Sequence, residues 1–159
     1  MNWKTLYQQD RSRYGRFGRM ARIFLWCFRR VQCGCRGPLG ILAKMGVWAF
    51  RWVGVGIETK SVGGGLRLPH VNGIYVHENA AIGENCTIFQ QVTIGVNEHQ
   101  GHRKAPQIGN GVYIGAGAKL IGDIRIGADV RIGANAVVTK DVPPEMTVVG
   151  YNRVFKNRE

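Results

Sequence analysis

Acidic residues are scarce: ten Asp or Glu stand against 22 Lys or Arg in 159 residues, for a net charge of +12. The imbalance is local. Residues 1–53 hold eleven cations and one acid, Asp10, whereas the remaining 106 hold eleven cations and nine acids. A basic segment invites nucleic acid, but no recognised nucleic-acid fold or stacking platform accompanies it, so no nucleic-acid partner is expected. Cysteine is sparse too. Four are too few and too irregularly placed for a secreted disulfide framework, and Cys33 and Cys35 lack the second pair that a zinc site needs. A reducing, cytoplasmic compartment and no metal are expected. Long uncharged apolar runs are missing as well. Met1 to Asp10 is polar and lacks the hydrophobic run of a signal peptide. The most apolar stretch, 39–55, contains Lys44 and Arg51, which falls short of the roughly 20 largely uncharged residues of a membrane span.

What the chain has is a beat of six. Val76, Ile82, Ile88 and Ile94, then Ile108, Ile114, Leu120, Ile126, Ile132 and Val138, recur at that interval, and six of the ten are followed by glycine. Two residues before them sit smaller apolar positions such as Ala80, Cys86, Val92, Val112, Ala118 and Ala136. A period of six is neither helical nor that of hairpins; it is the signature of a solenoid whose faces are short strands turned at small residues. Each buried Ile contributes roughly 1.5–3 kcal/mol, so stacked ladders can hold such a coil together. Val62, Leu68 and Ile74 carry the pattern back to a first coil starting near Ile57.

Upstream, apolar residues recur at three and four over 10–31 and again over 39–55, which predicts two amphipathic helices separated by a turn at 33–38. Their aromatics and cations suit either a cap on the open end of the solenoid or peripheral contact of residues 11–53 with the inner face of an anionic membrane.

Two breaks interrupt the beat. His70 occupies an aliphatic phase, between Pro69 and Val71-Asn72-Gly73. From Ile94 to Ile108 the chain takes fourteen residues, two more than two repeats, and 96–106 is too polar for a coil wall, so an extruded loop is expected there. Pro143-Pro144 is expected to stop the coil.

The runs Leu68-Pro-His-Val-Asn-Gly-Ile-Tyr-Val76, Ile82 to Gly95, Val112 to Gly127 and Ile132 to Pro144 resemble the serine acetyltransferase branch of the hexapeptide-repeat acyltransferases, over about 57–151. The resemblance implies an all-β solenoid, a left-handed parallel β-helix of about four coils with an extruded loop at 96–106, preceded by a short α-helical N-terminal segment. The left hand comes only from the resemblance, since parallel crossovers are otherwise nearly always right-handed. It also implies a homotrimer with acetyl-CoA, the co-substrate, in the groove between adjacent subunits. His70 is then the catalytic base that takes the proton of an acceptor hydroxyl, a role worth roughly 10²–10⁴ in rate. Gly95, Ala116 and Ala134 are implied as cofactor contacts, with Lys140 near a phosphate.

The departures concern the acceptor. Serine acetyltransferases carry an acid immediately before the histidine, where this chain has Pro69, and end the loop Arg-His-Pro, where it has Lys104-Ala105-Pro106. His99 and His102 lie earlier in the loop, and Glu58 is the nearest upstream acid to orient His70. Leu-Pro-His-Val-Asn-Gly and the short basic N-terminus resemble relatives that acetylate sugar hydroxyls in surface-polysaccharide synthesis. A sugar acceptor is therefore expected first, with serine as the alternative and a non-catalytic membrane-docking scaffold as a third option. A metal-dependent hydratase is disfavoured, because His99 and His102 are only three apart. The chain divides into a basic helical segment (1–56), the β-helix (57–144) and a tail (145–159).

Overall fold

A computed structural model describes residues 2–14, 18–100 and 103–156. Three helices open the chain: α1 (Trp3–Ser12), α2 (Arg19–Gln32) and α3 (Pro38–Trp52). The single helix expected over 10–31 is thus two, because α1 ends at Ser12 and Gly18 (φ 93°) precedes the start of α2. Helix α1 was not expected. It starts where the Asn2 side chain accepts the Thr5 N–H at 3.0 Å, a cap that satisfies one of the free amides of the first turn.

The strands among the described residues are β1 (Val55–Ile57), β2 (Ile74–Val76), β3 (Ala81–Ile82), β4 (Thr87–Ile88), β5 (Thr93–Gly95), β6 (Gln107–Ile108), β7 (Tyr113–Ile114), β8 (Lys119–Ile121), β9 (Arg125–Ile126), β10 (Arg131–Ile132), β11 (Val137–Val138), β12 (Met146–Val149) and β13 (Arg153–Lys156). They stack in parallel on three faces of a prism. The first face is β1-β2-β5-β8-β11, the second β3-β6-β9, and the third β4-β7-β10-β12, with β13 added antiparallel at its end.

The six-residue beat is what makes three faces. Val76, Ile94, Leu120 and Val138 are register partners on the first, Ile82, Ile108 and Ile126 on the second, and Ile88, Ile114, Ile132 and Val148 on the third. All are buried, as are the small apolar positions that precede them. The partners also correct the reading of the long gap. Val76 to Ile94 and Leu120 to Val138 are eighteen-residue circuits, but Ile94 to Leu120 takes 26. The fourteen residues from Ile94 to Ile108 are therefore one step between faces plus an eight-residue excursion. Its return limb rejoins the wall early, with Ala105 and Pro106 already buried.

Pro143 and Pro144 do not stop the ladder. Val142 still bridges Ile126, and Val148 stacks on Ile132 as a further buried rung. The prolines lie in a corner between rungs, where no ladder N–H is required of them, and Pro144 packs against Gly127.

The helices close the other end. Phe24, Leu25 and Phe28 of α2 and Phe50 of α3 join one core with Val55, Ile57, Leu66 and Leu68 of the first coil. A buried ion pair fastens them. Arg29 meets both Asp10 carboxylate oxygens (2.7 and 2.8 Å) and donates to the carbonyls of Val62 and Gly63, while Asp10 also accepts the Leu66 N–H. Every strong donor and acceptor of the pair has a partner, the condition under which a buried charge pair is tolerated. The Arg30 guanidinium lies over the Trp3 and Trp26 rings, 3.9 and 4.3 Å from their centroids, the two indoles meeting edge to face. Phe24, Phe28 and Phe50 thus perform the capping role expected of this segment.

Candidate active site

The site begins on the lowest rung of the third face. Arg67 bridges Thr87 there, and Leu68 is fully buried. Among the described residues no strand lies beneath Leu68, so its peptide groups need partners from elsewhere. Tyr14, in the segment after α1, provides them: its hydroxyl donates to the Leu68 carbonyl at 3.2 Å and accepts the Leu68 N–H. Burial pushes that hydroxyl up to about 12, with the Leu68 hydrogen bond pulling the other way. The neighbouring Arg13 donates to the carbonyls of Gly65 (2.6 Å) and Cys86 (3.1 Å) and to the Thr87 hydroxyl (3.2 Å).

Two residues beyond that clamp, the backbone bends and His70 is exposed. Its phase in the sequence placed it on the inward ladder. In the structure Leu68 and Ile74 take the interior, and Gly73 (φ 65°) turns the chain into β2. The His70 ring lies 6.5 Å from Phe89, which lies 5.2 Å from Tyr113. Among the described residues no side chain hydrogen-bonds the His70 ring.

Above His70 the corners between the third and first faces stack into one edge. Gln91 donates its N–H to Asn72, Gly117 to Gln90 and Asn135 to Ala116, at 2.8–3.0 Å. Ala116 and Ala134 thus stand on the same edge as His70. Gly95 and Lys140 do not. Both lie on the edge between the first and second faces, beside the loop, so a single chain does not bring them to the histidine.

The glycines at these corners differ in why they are glycine. A Cβ at Gly115 would sit 2.7 Å from the Ala134 backbone nitrogen, so packing of adjacent coils alone accounts for it. At Gly95 the nearest atom to such a Cβ is Ile121 Cδ1, at 3.8 Å. Packing within this chain does not require Gly95 to be bare.

Other expected participants fall elsewhere. Glu58 pairs with Arg51 at 2.7 Å on the edge that carries Gly95, and so does not orient His70. His99 is exposed on the short turn Glu98–Gln100, and His102 lies outside the described residues. Lys104 pairs with Asp123 at 2.8 Å. No cluster of three or more His, Cys, Asp or Glu side chains able to hold a metal occurs among the described residues. Tyr14, Phe89, Tyr113 and His77 were passed over in the sequence. His77 Nδ1 accepts the Asn79 N–H, and Asn79 donates to the Arg103 carbonyl, which ties down the return limb of the loop. A groove of about 770 Å³ on the third face is lined by Arg13, Thr87, Tyr113, Asp129, Arg131 and Thr147, among others.

The family profile for bacterial transferase hexapeptides (six repeats) matches residues 105–140. The chain belongs to the hexapeptide-repeat transferases. Serine acetyltransferase of Mycobacterium tuberculosis is 46% identical to this chain over 89 residues, covering 56% of the chain but 39% of that protein. Among solved structures, the serine acetyltransferase of Neisseria gonorrhoeae in complex with serine aligns with a TM-score of 0.74 at 33% identity, over 93% of this chain and 66% of the other. The soybean serine acetyltransferase apoenzyme aligns at 0.77 with 27% identity, over 97% and 69%. The chain thus matches well under half the length of the curated relative, while the solid-body likeness takes in its helices as well as its coils.

Proposed function

We propose that the chain is an acetyl-CoA-dependent O-acetyltransferase with L-serine as acceptor, built as a left-handed β-helix and working as a homotrimer. One observation carries it: an exposed histidine at the foot of the edge that holds Ala116 and Ala134, in a chain similar to serine acetyltransferases. His70 takes the proton of the acceptor hydroxyl as its oxygen attacks the thioester carbonyl. The C–S bond then breaks, the acetyl group stays on the acceptor oxygen, and the departing thiolate recovers the proton from the imidazolium.

Gly95 and Lys140 enter through a second copy. They flank one side of the first face and His70 the other, so two copies set edge to edge would enclose a groove with all of them. Gln90 supports such a seam, because its side-chain oxygen is buried beside this edge with no partner among the described residues. Gly95, Ala116 and Ala134 would let the pantetheine arm approach closely, and Lys140 would face a phosphate.

The comparisons favour serine over the sugar expected first. A sugar hydroxyl stays as a second reading on a specific observation: Pro69 and Ala105 stand where serine acetyltransferases hold an acid and a histidine, and the Phe89 ring lies 6.5 Å from His70 with Tyr113 packed on it. Aromatic rings present the apolar, flat surface that sugar faces pack against.

Release of free CoA thiol from acetyl-CoA, with L-serine and with nucleotide-linked or lipid-linked sugars, tests the reaction and the acceptor together. His70→Ala is expected to lower turnover at least about a hundredfold while acetyl-CoA still binds. Full activity in that variant removes His70 from the mechanism.

A further inference from the structure

Helix α3 is built inside out. Its inner face is made of small residues: Gly40 and Ala43 are buried, and Gly46 lies so close to α2 that a Cβ there would sit 2.5 Å from Cys27 Sγ. Phe50 is the one large side chain of α3 that is buried. The outer face carries Ile41, Leu42, Met45, Trp48, Trp52 and the adjoining Val53, every one more than half exposed, with Ile41 at 62%, Trp48 at 61% and Trp52 at 77%. At 100° per residue these fall within one arc, with Lys44 and Arg51 together on one flank. A surface helix ordinarily does the reverse, and contiguous exposed apolar patches of this kind mark interaction sites.

We infer that the outer face of α3 docks on an anionic lipid surface, with the helix lying in the plane of the headgroups. Charge selects this occupant. Asp10, the single acid of residues 1–53, is buried and spent on Arg29. Helix α3 itself holds no acid, and among the described residues the acid that answers its cations, Glu58 on Arg51 at 2.7 Å, leaves Lys44 unanswered, so pairing the same face with a second copy would bring the Lys44 side chains together without a counter-charge. Phosphate headgroups supply that counter-charge. Trp48 and Trp52 pack edge to face at 5.7 Å and are free of the core, unlike Trp3 and Trp26, which hold Arg30. Indole rings favour the boundary between headgroups and chains, and an apolar stripe flanked by cations suits a helix that lies on a membrane. None of the described helices is long and apolar enough to cross one.

Flotation of the full chain with vesicles of phosphatidylcholine, with and without phosphatidylglycerol, tests this directly. The chain should bind the anionic vesicles at least about tenfold more tightly and lose that preference as salt is raised. Trp48→Ser/Trp52→Ser should weaken binding at least about tenfold, and Lys44→Gln/Arg51→Gln by about fivefold for each cation. Both pairs change exposed side chains, and an unchanged melting temperature confirms that they fold. Should the tryptophan pair not fold, the lysine–arginine pair and the salt series still decide. Failure to float, equal binding to neutral and anionic vesicles, or variants that bind like the parent each overturn the inference. So does a soluble assembly whose mass, by light scattering, falls in Trp48→Ser/Trp52→Ser, since that would give the face to a second copy.

Discussion

Gly95 and Gly115 share a sequence context, an aliphatic followed by glycine, yet their surroundings separate a packing glycine from one that leaves room. Adding a methyl at Gly115 drives it into the next coil's backbone, and Gly115→Ala is expected to cost about 1–3 kcal/mol in urea unfolding. Gly95→Ala should change stability by no more than about 0.5 kcal/mol while raising the KM for acetyl-CoA. An unchanged KM would remove Gly95 from the cofactor groove. Burial also sets how the chain responds to alkali. It pushes the Cys86 thiol from 9.0 up to about 11 and the Tyr14 hydroxyl from 10.0 up to about 12. In both, folding favours the neutral form, so their stabilisation is complete below the unfolded values. It is lost from pH 9 to 11 for Cys86 and from pH 10 to 12 for Tyr14. Urea midpoints should fall across those windows, less steeply in Cys86→Ala and Tyr14→Phe respectively. At this scale the ladder was fully legible, because each Ile, Leu or Val meets the same environment one circuit later. Tyr14 was not, because its partner lies 54 residues away and nothing local marks the contact.

Among elements, the attachment of helices to coil rests on Asp10 and Arg29. Asp10→Ala leaves the Arg29 guanidinium buried without its counter-charge and is expected to cost about 3–5 kcal/mol, with a matching fall in the urea midpoint. A loss well under that range would show that the apolar contacts of Phe24, Phe28 and Phe50 suffice to hold the cap. Periodicity predicted helices in this segment but not their boundaries. The break between α1 and α2 follows Ser12 and includes Tyr14, which turns aside to serve Leu68, and apolar spacing runs through it uninterrupted. The loop is the converse case. Its polarity marked it for extrusion, but its true length emerged only when Ile94 was seen to pair with Leu120 across 26 residues. The corner at Pro144 was misread because proline was weighed as a ladder residue, whereas it sits between rungs.

For the whole molecule, the decisive feature is that one chain separates the residues that the proposed chemistry would bring together. His70, Ala116 and Ala134 follow one edge of the prism, and Gly95 and Lys140 follow another. The histidine stood out in the sequence as a break in the beat, but the division into two edges appears only once the faces are assembled. An active groove shared between copies has a consequence that no single-chain site can imitate. His70→Ala would spoil one wall of the proposed groove, and Gly95→Trp, whose Cβ meets no atom closer than Ile121 Cδ1 at 3.8 Å, would obstruct the other. Each alone should be inactive in thiol release. Unfolded together in equal amounts and refolded as mixed trimers, the two should regain about a quarter of wild-type turnover, because one seam in four would join an intact histidine to an intact Gly95 edge. Mixed assemblies that stay as inactive as either parent would contradict a site built between copies.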